Sequence, residues 1–156
     1  MLNSGVLING FISAFEKQSV SPHIFASEID GAMRGYMSGG INLALGPVLI
    51  NSYSLIPGLI QICSQPNPVP EIFAIKFGKE IDTFIQSTLT LFQITVFVPF
   101  GMLGSQFIPS FRQMNPLGQI IAVDLATKID AFVRSNVMVA CSDPKLLGTP
   151  IVGPLI

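Results

Sequence analysis

Apolar residues recur at helical spacing in three places along the chain, 48 residues apart. Counted from Phe25 they fall at relative positions 0, 4, 8, 11 and 12, which selects Phe25, Ile29, Met33, Tyr36 and Met37. The same spacing selects Phe73, Phe77, Ile81, Phe84 and Ile85, then Ile121, Leu125, Ile129, Phe132 and Val133. Each set is one apolar stripe on a helix of about four turns. Ala26, Ala74 and Ala122 sit beside the stripes, where a small side chain lets a neighbouring element approach closely.

The period extends beyond these helices. With no gap, the offset of 48 aligns Leu7 with Leu55 and Leu103, Ile12 with Ile60 and Ile108, and Ile24 with Ile72 and Ile120. Three copies occupy residues 1–48, 49–96 and 97–144, and residues 145–156 begin a partial fourth within a single domain of 156 residues. A 48-residue unit is too small to bury a core well by itself, so the copies are expected to pack on one another or on other chains.

Upstream of each stripe lies a shorter apolar segment. Leu7, Phe11, Ile12 and Phe15 predict a helix in the first copy, and the second keeps the pattern, with Ser54 as a cap and Pro57 early. In the third, Pro109 falls inside the pattern, which predicts a turn or a broken helix. Downstream, the period changes to two: Ile41, Leu43 and Leu45, then Leu89 and Leu91, then Val137 and Val139. The resulting expectation is an α/β or α+β fold of three helix-strand repeats with internal pseudo-symmetry, arranged as a short stack or a closed pseudo-threefold ring, its strands pairing between copies or between subunits.

Charge changes this picture more than overall composition does. Charged residues make up 11% of the chain against about a quarter in typical domains, and none occurs between Arg34 and Glu71 or between Asp82 and Arg112. Such a chain is expected to cover much of its outside with partners or lipid. The formal net charge of −1 and the lack of a basic patch give no reason to expect nucleic acid. The longest membrane candidate, residues 87–107, is broken by Pro99 and by strand-like alternation, so a spanning helix is the lesser reading.

Most charges lie on the three predicted helices, in equivalent columns. Glu28, Lys76 and Asp124 form one column; Arg34, Asp82 and Asp130 form another. Opposite signs could meet between neighbouring copies, or these side chains could simply be solvated faces. Catalytic and cofactor chemistry is sparse. His23 has no second histidine, Cys63 and Cys141 fall in non-equivalent columns, and Gly101 to Gly104 is not followed by the lysine of a phosphate loop. No catalytic, metal or cofactor residues are assigned, and the candidate interface or core residues are Phe25, Ile29, Met33, Tyr36, Phe73, Phe77, Ile81, Phe84, Ile121, Leu125, Ile129 and Phe132.

In Ala26 to Met37, Ala74 to Ile85 and Ala122 to Val133, an alanine is followed by spaced apolar residues, an Asp or Arg, and an aromatic next to one further apolar residue. A Ser/Gly-type turn, an uncharged segment and Gly/Pro-rich returns at 101–109 and 148–154 complete the unit. This unit resembles small structural proteins in the virions of large tailed bacteriophages. The resemblance implies a non-enzymatic, obligately oligomeric building block of a head, neck, tail or baseplate. It would assemble in the host cytoplasm and contact copies of itself and other proteins of the particle. The competing expectation is a membrane-associated protein with long uncharged segments.

Overall fold

The structure is a computed structural model that describes residues 1–17, 21–42, 46–47, 53–66, 69–88, 94–97, 101–113, 117–141 and 151–154. Among these residues the architecture is three helical hairpins. They are α1 (Ser4–Lys17) with α2 (Pro22–Ser38), α3 (Ile56–Cys63) with α4 (Pro70–Thr88), and α5 (Met102–Phe111) with α6 (Gly118–Asn136). Each helix packs on the next in sequence, and α6 packs back on α1, so the six close into a ring.

The long helices begin at Pro22, Pro70 and Gly118, each 48 residues after the last, for reasons written locally. Ser21 caps α2, its hydroxyl accepting from the His23 amide at 3.2 Å, and Pro22 supplies a preset φ with no donor to lose. Pro70 does the same for α4. The α2 C-terminus is closed by the Gly39 and Gly40 amides, which donate to Tyr36 and Met37 carbonyls at 3.2 and 2.9 Å.

The α/β or α+β expectation is corrected: the protein is a helical bundle. Every described core side chain lies on a helix or at a helix end. Among the described residues the period-two segments yield only short ribbons: β1 (Ile41–Asn42) with β2 (Gly46–Pro47), and β3 (Ile94–Phe97), β4 (Met138–Cys141) and β5 (Ile151–Pro154) in one antiparallel sheet. Runs of two to four residues present too little area to cover a helical layer, and six amphipathic helices bury their stripes against each other instead. Leu43, Leu45, Leu89 and Leu91, on which the strand reading rested, lie outside the described residues.

The third upstream segment is also corrected. α5 is a helix with Pro109 inside it. Because Pro109 falls in the last turn, its missing N–H removes one hydrogen bond near the end of a ten-residue helix, and the chain need not break. α5 starts at Gly101, whose φ of 83° turns the chain into the helix with a geometry that favours glycine.

Phe77 is the centre of the core. Its ring lies 6.5 Å from Phe11 and Phe25 of the first hairpin and 5.9 and 6.1 Å from Phe107 and Phe111 of the third, so one side chain joins all three repeats. Glycines set the closest approaches. Gly10 leaves no room for a Cβ beside Ala32 where α1 meets α2, and Gly78 lies backbone to backbone with Gly104 where α4 meets α5.

Candidate interaction faces

Of the candidate interface or core residues, Phe25, Ile29, Met33, Tyr36, Phe77, Ile81, Phe84, Leu125, Ile129 and Phe132 are buried inside the single chain. Phe73 and Ile121 are partly buried against the same core. These stripes therefore hold the ring together rather than facing outward.

The outward face carries a second apolar pattern, which reading for the main stripe misses. Val69 just before α4 with Ile72 and Ile75 on its first turns, and Leu117 just before α6 with Ile120 and Val123 on its first turns, are between 40% and 70% exposed. They occupy equivalent places, 48 residues apart. The α2 equivalents are Ser21, Ile24 and Ser27, so that face is largely polar. The signal available in the sequence was the identical triplet Ile24, Ile72 and Ile120, one residue before each stripe begins and thus on the far side of the helix.

Shallow grooves run beside these faces. On α6 one is lined by Gln119, Ile120, Val123, Asp124 and Thr127. Between α3 and α4 another is lined by Gly58, Gln61, Ile62, Gln65, Lys76, Lys79 and Glu80. The equivalent groove between α1 and α2 contains His23, whose Nδ1 lies 3.4 Å from Ser27 Oγ on the exposed first turn of the helix.

The first charge column stays within its own hairpins. Lys17 donates to Glu28 at 2.7 Å, and this bond is the first reason that the Glu28 carboxyl titrates below its usual range. Lys76 donates to the Gln65 amide oxygen at 2.8 Å. Burial works against the Asp124 charge, but Lys128 at 2.7 Å and Ser110 at 2.5 Å both donate to it, leaving its pKa below normal.

The second column lies at the junctions between repeats, where its members meet backbone and aromatic groups. Between the first and second repeats, Arg34 pairs with Asp30 at 2.6 Å, donates to the Tyr53 carbonyl and lies over the Phe84 ring at 5.6 Å. Asp30, which the column reading overlooked, accepts from the Leu55 amide at 2.7 Å where the chain enters α3. Between the second and third repeats, Asp82 accepts from the Gly101 amide at 3.0 Å. Between the third and first, Asp130 accepts from the Tyr36 hydroxyl at 2.8 Å and from Arg134 at 2.9 Å, and Arg134 also reaches the Leu2 carbonyl at 2.9 Å. Thus each long helix places a charged side chain on the strand of backbone that opens the next repeat.

Asp82 is the exception in quality. It is fully buried, its Oδ1 has no hydrogen-bond partner among the described residues, and burial raises its pKa to about 6 against the opposing Gly101 amide. Cys63 is a half-buried free thiol with its pKa raised by burial, and the side chain of Cys141 lies outside the described residues. Among the described residues no three His, Cys, Asp or Glu side chains gather as a metal site would need, and no helix is long and apolar enough to cross a membrane.

Comparison with protein-family models, with curated proteins and with solved structures found no match.

Proposed function

We propose that the chain is a non-enzymatic assembly subunit, a rigid helical ring that works by binding copies of itself through its outer helix faces. The observation that carries this reading is the pair of equivalent exposed stripes on α4 and α6, six large apolar side chains that the intramolecular core does not use. Several such side chains at i, i+3 and i+6 on two helices form continuous faces, unlike singly scattered surface residues, and faces of this kind mark interaction sites. The resemblance of the repeat to tailed-phage virion proteins gives the assembly its setting: a multi-copy component of a head, neck, tail or baseplate.

The test is the mass of the purified chain in detergent-free buffer, by light scattering after size exclusion. A discrete multi-subunit mass is expected. A stable monomer at micromolar concentration overturns the reading, and dispersal only in detergent transfers the exposed stripes to a lipid surface.

A further inference from the structure

The two apolar stripes differ in the charge beside them. Four residues after Ile72 stands Lys76, with Lys79 on the next turn; four residues after Ile120 stands Asp124. Glu16 adds a second acid near α6, held by Gln119 at 2.6 Å. The same apolar geometry thus carries charges reversed position by position: Lys76 and Glu80 on α4 stand where Asp124 and Lys128, paired with each other at 2.7 Å, stand on α6. In a parallel, in-register contact two α4 faces would set Lys76 against Lys76 and Glu80 against Glu80, whereas α4 against α6 sets Lys76 against Asp124 and Glu80 against Lys128.

We propose that the α4 face of one copy binds the α6 face of the next, the two helices parallel and in repeat register. Ile72 then meets Ile120, Ile75 meets Val123, and Lys76 meets Asp124. This deepens the assembly reading above and rests on it. The contact is heterologous, because it joins two different surfaces of the same chain, and such contacts close into rings when the rotation between copies allows. The third face keeps only Ile24 of the three apolar positions, with Ser21 and Ser27 in place of the other two, and is left out of the contact, which limits it to a ring and prevents a sheet.

A mixing experiment tests this. Ile72→Lys and Ile120→Lys change residues that are 49% and 53% exposed, so the helical circular dichroism should be retained. Each variant alone lacks one half of the contact and is expected to run as a monomer. Mixed, they should form a heterodimer and nothing larger, through the intact α4 face of Ile120→Lys and the intact α6 face of Ile72→Lys. Adding Lys76→Glu to the Ile120→Lys chain should weaken that heterodimer on the order of tenfold.

A wild-type oligomer that either variant still forms, or a mixture that stays monomeric, overturns the head-to-tail contact while leaving assembly intact. An unchanged heterodimer affinity with Lys76→Glu overturns the parallel register. A monomeric wild type overturns the assembly reading itself.

Discussion

The Tyr36 hydroxyl donates to Asp130 Oδ1 at 2.8 Å across 94 residues of sequence, joining the first repeat to the third and closing the ring. Both groups belong to columns of the repeat. At the same step between the first two repeats, the partners are Arg34 and the face of Phe84. Tyr36 is fully buried, and burial, followed by its bond to Asp130, raises its pKa. Tyr36→Phe is expected to destabilise the fold by about 1–2 kcal/mol, because Asp130 loses one donor but keeps Arg134. Urea unfolding at neutral pH measures this, and an unchanged midpoint would show that water replaces the hydroxyl without cost.

The same relationship predicts a stabilising substitution. By repeat equivalence, Phe132 is expected to stand toward Asp82 as Tyr36 stands toward Asp130, and a phenyl ring offers no donor to the Asp82 Oδ1 that lacks a partner among the described residues. Phe132→Tyr should supply the missing hydroxyl and raise stability at pH 7 by about 1 kcal/mol. Since a hydrogen bond to the charged form favours ionisation, the Asp82 pKa should fall toward the usual carboxylate range. A lower urea midpoint with unchanged helical signal would mean that the hydroxyl finds no room there.

Asp82 also sets a pH dependence with an unusual sign. Its folded-state pKa of about 6 lies above the ordinary 3.8. Above pH 6 the folded chain bears the full cost of a buried charge. As the pH falls from about 6 to 3.8 the folded state takes up a proton that the unfolded state does not, so this group's contribution to stability rises. Glu28 and Asp124, with pKa values held below normal, act the other way: their contribution is present above their unfolded values and is lost as the pH falls through the folded ones. Asp82→Asn isolates the first effect. Between pH 7 and pH 4 the wild type should gain on the order of 3 kcal/mol relative to Asp82→Asn. Parallel stability curves for the two proteins would refute the assignment.

Helices and their spacing were legible because a stripe such as Phe73, Phe77, Ile81 and Phe84 has one period and admits one reading. The fold class was not, because Leu89, Leu91, Ile94 and Val96 alternate as a strand does without saying how long a ladder forms or what covers it. Pro109 misled for a positional reason: only two residues of α5 follow it, so its lost hydrogen bond leaves most of the helix intact, and where the helix ends is not written in the sequence. The junctions were half legible. Arg34, Asp82 and Asp130 were visible as a column, but their partners at Tyr53, Gly101 and Tyr36 are set by the ring closure, a tertiary fact. The outer stripes were present in the sequence as Ile24, Ile72 and Ile120, but an apolar triplet repeated between copies fits a core face and a surface face equally well.

Close packing between repeats can be separated from helix propensity by two glycines. Gly31 lies exposed in the middle of α2, with no atom within 4 Å of where a Cβ would stand. Gly31→Ala should stabilise the protein by about 0.5–1 kcal/mol, the entropic cost of glycine in a helix. Gly78 lies in the middle of α4, where the same propensity gain applies, but its Cβ would collide with the backbone of Gly104 and the backbone carbonyl carbon of Leu103. Backbone cannot swing aside as a flexible side chain can, so α5 must shift away from α4 and the core around Phe77 must open. Gly78→Ala should therefore lose about 1–3 kcal/mol or more despite its better helix propensity. Thermal or urea unfolding of the two variants gives opposite signs if the α4 to α5 approach is as close as described. Two variants of the same sign would mean that the hairpins pack loosely enough to admit a methyl group between them.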